Sequence, residues 1–144
     1  MSYRWLEHTS ELELQIDAAS ERSVFETAAA AFAELAEERE EGAGGGSAGG
    51  GSADGRALAL EIAVAAGDRA AMLAAFLEEL VYLLETEDLV PERLERVELG
   101  DDRLSAIVRG HRGAPRHLVK GVTYNELTFQ RHGERFTATV VLDV

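Results

Sequence analysis

Three clusters in this 144-residue sequence carry side chains able to do chemistry. The first is His8-Thr9-Ser10-Glu11, an imidazole, two hydroxyls and a carboxylate, set between an aromatic start (Tyr3, Trp5) and an alternating strand. The second is Asp143-Val144, where a side-chain carboxylate is followed by the carboxylate of the last residue. Oxygen donors of this kind, with no cysteine in the chain, suit Mg²⁺, Ca²⁺ or Mn²⁺ rather than zinc. Alternation puts Leu142 on the core side of its strand and Asp143 on the other. Glu11 likewise lies opposite Leu12 and Leu14 in parity, so if the two strands are neighbours their carboxylates share one face. The third cluster is residues 109–120, where Arg109, His111, Arg112, Arg116, His117 and Lys120 occur without an acid among them. Two readings stand: a patch for a phosphate, an RNA end or an acidic partner, and an arginine-rich loop that balances acidic neighbours.

Other chemistries are excluded by what is missing. The sequence has no phosphate loop ending in GK[ST], no GxGxxG at a strand–helix junction, no GxSxG and no HExxH. Without cysteine there are no disulfides, zinc ribbons or thiol nucleophiles. Lys and Arg total 14 against 27 Asp and Glu, a net charge of −13 that repels phosphates and argues against broad nucleic-acid binding. The charge is uneven: residues 1–100 hold 22 acids and 7 bases, whereas residues 101–144 hold 5 acids and 7 bases. Lys120 is the only lysine. No apolar run approaches the roughly 20 residues of a membrane helix, and the start lacks the apolar region of a signal peptide, so a cytoplasmic protein is expected.

The elements that must position these clusters follow from periodicity. Leu12, Leu14 and Ile16 alternate with Glu13, Gln15 and Asp17 as a half-buried strand. Ser23 and Glu26 have capping-box spacing, and Phe25, Ala28, Phe32, Leu35 and Ala36 predict an amphipathic helix over residues 21–40. Residues 42–55 hold eight of the 14 glycines and are expected to form a flexible loop inside one domain, residues 1–144, because the part before it is too short for its own core. Leu58, Leu60, Ile62 and Val64 predict a second strand. Asp68 is placed to cap a helix over residues 69–86 striped by Leu73, Phe76, Leu77, Leu80 and Leu84. Pro91 interrupts the pattern. Strands then follow through Val97 and Leu99, a turn at Gly100-Asp101-Asp102, then Leu104, Ala106 and Val108. A last pair runs from Val122 to Phe129 and from Phe136 to Leu142, with a change of phase near Asn125 or Glu126 that predicts a bulge. The class is α+β: a single domain with two amphipathic helices packed on mostly antiparallel sheet.

Five stretches occur in order along the chain: His8-Thr9-Ser10-Glu11, Ser23-Val24-Phe25-Glu26 with its alanine-rich helix, Phe76-Leu77-Glu78-Glu79-Leu80-Val81-Tyr82-Leu83, Val119-Lys120-Gly121-Val122-Thr123-Tyr124, and Val140-Val141-Leu142-Asp143-Val144. Taken together they resemble the archease family. The resemblance spans essentially the whole chain outside the glycine tract. It implies a non-enzymatic protein that assists an RtcB-type, GTP-dependent RNA ligase in tRNA splicing and RNA repair, promoting guanylylation of the ligase and its multiple turnover. RNA would be met only through that partner, and no membrane is implied. The resemblance also implies a divalent-cation site, Ca²⁺, Mg²⁺ or Mn²⁺, made here by Glu11, Asp143 and Val144, and a functional lysine at Lys120. Arg116 and His8 join Lys120 as expected contacts to the partner or its nucleotide. The sequence departs from the family pattern at Glu11, where Asp is usual, and at Asn125, where a histidine commonly follows Thr-Tyr. Two other readings stand: a stand-alone metal-dependent phosphoesterase, which would use the same carboxylates, and a chaperone-like module for nucleic-acid-modifying enzymes, which would need neither Lys120 nor the metal.

Overall fold

The computed structural model describes residues 2–36, 57–113 and 119–144. The glycine-rich tract expected to be a flexible loop lies outside them, as do Arg116 and His117. The described chain runs β1 (Ser2–His8), β2 (Glu11–Ala18), α1 (Glu21–Ala36), β3 (Ala57–Ala65), α2 (Arg69–Glu87), β4 (Leu89–Leu99), β5 (Arg103–Arg112), β6 (Gly121–His132) and β7 (Arg135–Asp143). One sheet has the order β1-β2-β7-β6 and the other β3-β5-β4, with every pairing antiparallel. The α+β expectation is borne out. Each helix touches both sheets: α1 lies against β2 and β4, and α2 against β6 and all three strands of the smaller sheet. Phe25 of α1 joins these layers, its ring edge-on to Phe76 of α2 at 5.8 Å and 6.0 Å from Phe129 of β6. The alternating positions read from the sequence supply the walls of this core, with Leu14, Ile16, Ile62, Leu104, Val108, Val140 and Leu142 all buried.

The helix ends show where local chemistry was read correctly and where it was not. Asp68 caps α2 as expected: it is in extended conformation and its side chain accepts from the Ala71 N–H at 2.8 Å. At the other end Asp88 stands at φ 57, the left-handed position glycine commonly fills, and its N–H bonds to the Leu83 carbonyl. The cap of α1 lies three residues earlier than its spacing suggested. Ser20 and Ser23 form the reciprocal pair: the Ser23 N–H donates to Ser20 Oγ at 3.1 Å and the Ser20 N–H to Ser23 Oγ at 3.1 Å. A serine at the third helical position therefore does what Glu26 was expected to do, and Glu26 instead pairs with Arg22 one turn away. The expected helix residues 37–40 lie outside the described part. For Asp68→Ala the expected loss is about 1 kcal/mol, read as a lower urea midpoint from the fluorescence of Trp5, the single tryptophan; Asp68→Ser should recover most of it.

Pro91 does not break the chain as its type suggested; β4 passes straight through it. The reason is placement. β4 is an edge strand, where a missing N–H costs no ladder bond on the open side, and the register slips between Pro91 and Arg93. The predicted bulge in β6 is present: pairing with β7 is interrupted between Thr123 and Thr128, and Glu126 has φ 61. Among the described residues no helix is long and apolar enough to cross a membrane.

Candidate functional site

The order β1-β2-β7-β6 brings the ends of the sequence together. In register, His8 of β1 faces Glu11 of β2, Glu11 faces Asp143 of β7, and Asp143 faces Gly121 of β6. One row across the sheet thus crosses all four strands. Directly opposed residues project to the same side, with Cβ atoms roughly 4.5–5.5 Å apart. Because Leu142 and Leu14 point into the core, this row presents His8, Glu11 and Asp143 on the outer face. Two backbone bonds close its rim: the Lys120 N–H donates to the Asp143 carbonyl at 2.7 Å, and the Val144 N–H donates to the Ser10 carbonyl at 3.1 Å. Ser10 itself takes φ 61 in the tight turn between β1 and β2. Buried Val119 anchors the entry to β6, leaving Lys120 exposed at the start of that strand.

Five of the six residues singled out from the sequence, His8, Glu11, Lys120, Asp143 and Val144, therefore meet at one end of the sheet. Arg116 lies outside the described residues. Among the described residues no three His, Asp or Glu side chains converge into a metal cage. What the fold does supply is a pair of directly opposed carboxylates, with Val144 held beside the turn that precedes Glu11. The donors are all oxygen, the chemistry that Ca²⁺, Mg²⁺ or Mn²⁺ prefers, so the residues present fit such an ion.

Glu13 is a member of this face that the sequence reading passed over. One of its oxygens lies 3.1 Å from His8 Nε2, and the other accepts from the Gln15 amide at 2.8 Å. Gln15 in turn accepts from Arg4 Nε at 3.1 Å, so a polar chain runs along the outer face and ends on the histidine. The Gln15 amide first, and His8 second, hold the Glu13 carboxyl below its ordinary value of 4.5. The signal was available: Glu13 is two residues beyond Glu11 on one strand, hence on one face. Since its pKa is lowered in the fold, Glu13 stabilises the native state above pH 4.5, and that contribution is lost as pH falls through the lowered value. The urea midpoint of the parent should accordingly fall more steeply with acidification below pH 4.5 than that of Glu13→Gln; equal slopes would remove this role.

The basic run resolves differently. Residues 109–112 are part of β5, not a loop; Arg109 and His111 are tied to acids, and Arg112 to a backbone carbonyl. Arg109 Nε donates to Glu95 at 2.7 Å, His111 Nδ1 lies 2.6 Å from Glu92, and Arg112 donates to the Glu87 carbonyl at 3.2 Å. Arg109 first, with Arg93 as a further partner, lowers the Glu95 pKa. In the described part of the run, the reading as charge balance is the one the contacts support. Lys120, by contrast, makes no ion pair among the described residues.

Comparison with known proteins completes the picture. Residues 3–144 match the model of the Archease protein family (MTH1598/TM1083). The chain is 27% identical over 151 residues to Protein archease of Methanosarcina acetivorans, covering 99% of this chain and 95% of that one. It is 26% identical to Protein archease of Methanosarcina barkeri with the same coverage. Its fold is similar to the solution structure of Methanobacterium thermoautotrophicum protein 1598, with TM-score 0.70, 21% identity and coverage of 99% and 98% of the two chains. It is also similar to a crystal structure from Thermotoga maritima described as an archease, possible chaperone, with TM-score 0.65, 18% identity and coverage of 96% and 94%.

Proposed function

Because the chain belongs to the archease family, we propose that it is a non-enzymatic activator of an RtcB-type, GTP-dependent RNA ligase, acting in tRNA splicing and RNA repair. The observation that carries the reading is the row in which β2, β7 and β6 set Glu11 opposite Asp143 and tether Lys120 by its backbone to Asp143. Among the described residues no nucleophile with a convincing general base accompanies these groups, and the chemistry we assign to them is electrostatic and positional. An activator needs no more than that: it must present charge where a partner's nucleotide phosphates develop it.

In this reading Glu11 and Asp143, with oxygen from Val144, hold a divalent cation. The ion supplies positive charge and an ordering centre for phosphate or carboxylate oxygens. Lys120, a compact point charge with no ion pair among the described residues, contacts a phosphate of the ligase-bound nucleotide or a carboxylate beside it. The Glu13–His8 contact fixes the imidazole next to the carboxylates. Net −13 agrees with RNA being engaged through the ligase rather than directly.

The test is multiple-turnover ligation by the matching ligase with and without this protein. The parent should raise turnover, and Lys120→Ala should lower that activation by roughly a hundredfold. No effect of the parent, or full activity of Lys120→Ala, overturns the reading. A chaperone-like role, suggested by the description of the Thermotoga maritima relative, predicts ligase protection that is indifferent to Lys120.

A further inference from the structure

Among the described residues, Tyr82 and Tyr124 are the only large apolar side chains left open to solvent, 57% and 56% exposed. They come from elements packed on each other, α2 and β6. Tyr82 lies on the outer side of α2 with exposed Glu78 one turn before it and exposed Glu85 one turn after. Tyr124 lies in the bulged stretch of β6 that leaves the ladder with β7, beside exposed Asn125 and Glu126. Partial burial first, and the charge of Glu78 second, raise the Tyr124 pKa, which places Glu78, one turn before Tyr82, near Tyr124 as well.

The charge of this face is not spent on holding the fold together. Several acids elsewhere have a basic partner: Asp17 with Arg135, Glu21 with Arg69, Glu26 with Arg22, Glu92 with His111, and Glu95 with Arg93 and Arg109. Glu78, Glu79 and Glu85 have no ion pair among the described residues. After Arg69 the sequence has no base until Arg93, so α2 carries no positive charge of its own beyond its first residue. An uncompensated acidic helix face beside two uncovered aromatic rings stabilises nothing within this chain.

We infer that Tyr82 and Tyr124, set among Glu78, Glu85 and Glu126, form a docking surface for an arginine-bearing, positively charged face of a folded partner protein. Guanidinium groups stack on tyrosine rings and pair with glutamates, so one partner chemistry satisfies both parts of the patch. Tyrosine is also among the residues that dominate interface energies, while surrounding charge speeds and orients the encounter. RNA has the wrong sign, and so does a second copy of a chain with net charge −13. The inference deepens the function proposed above and rests on it in naming the partner: a ligase that holds RNA must itself carry basic surface.

The experiment measures binding of the matching ligase to the full chain by biolayer interferometry, in parallel with multiple-turnover ligation. Tyr82→Ala/Tyr124→Ala and Glu78→Lys/Glu85→Lys should each weaken binding by about tenfold or more. Salt should weaken binding of the parent more steeply than binding of the charge-reversed variant. Lys120→Ala should bind within a few-fold of the parent yet fail to activate. If the parent activates the ligase while both double variants bind as tightly as it does, the docking surface is wrong and the functional reading stands. If the parent neither binds nor activates, both fall. Circular dichroism of each variant guards against loss of fold, and the charge-reversed pair, exposed on a helix, keeps the test decisive if the tyrosine pair does not fold.

Discussion

Gly110→Ala should lower the stability of the protein by about 3 kcal/mol, a fall of about 10 °C in Tm, measured by thermal melting followed at Trp5. Gly110 lies inside β5, opposite Pro91 of β4. A Cβ built there would stand 2.1 Å from the Val90 carbonyl oxygen, 2.9 Å from the Pro91 Cα and 3.0 Å from Leu89 Cδ1. Two of those three neighbours are backbone, so no rotamer change relieves the contact. The strands must separate at the point where Leu89 and Val90, both buried, seal the smaller sheet against the core. Glycine is needed here because of close approach, not because of φ. The control is Gly67→Ala, where an added Cβ meets nothing within 4 Å; its Tm should stay near that of the parent. Equal effects at the two positions would mean that β4 can shift freely and that the close approach at Gly110 is not a constraint.

The second large effect concerns Glu11 and Asp143, and its sign depends on whether a cation is present. Like charges directly opposite each other on neighbouring strands destabilise a sheet by a fraction of a kcal/mol to about 1 kcal/mol. Without divalent ions, Glu11→Gln and Asp143→Asn should therefore each be slightly more stable than the parent. With Ca²⁺ or Mn²⁺ the order should reverse. An ion that binds only the folded chain stabilises it by about 2.7 kcal/mol at a hundred times its Kd, several degrees in Tm. The Glu11→Gln/Asp143→Asn variant should lose that gain. Thermal melts with chelator, Mg²⁺, Ca²⁺ and Mn²⁺ decide the matter without reference to any ligase. A parent whose Tm ignores all three ions, or a double variant that responds as the parent does, removes the cation from the proposed function. Such an opposed pair makes sense as a binding arrangement, because as a purely structural feature it costs stability.

Much of the architecture was legible in local pattern. Alternation at Leu12, Leu14 and Ile16 placed β2 and put Glu11 on its outer face. Helical spacing from Phe25 and from Leu73 placed both helices, and the phase change after Tyr124 announced the bulge at Glu126. These features were readable because they depend on residues a few positions apart, through steric alternation, helical period and capping bonds. The misreadings have the same origin. Ser23–Glu26 and Ser20–Ser23 are equivalent spacings, and only the observed turn shows which serine accepts the first free N–H. Pro91 looked like a break because its type says nothing about whether its strand lies at an edge.

The candidate site divides along the same line. Residue type and parity nominated Glu11, Asp143 and Lys120, but sequence alone left open whether strands at opposite ends of the sequence are neighbours. Insertion of β7 between β2 and β6 decides that, and it sets Glu11 opposite Asp143 rather than one residue away, where the two would face opposite sides. Tertiary contacts also decided that Arg109 and His111 are paired with Glu95 and Glu92, and that Tyr82, on a helix with mostly apolar neighbours, faces outward. Partner choice between distant strands and the pairing of distant charges are set by burial of the whole core, a sum over all elements at once. By itself the sequence determined which groups were available and on which face of each element they lie; the tertiary structure determined which of them meet.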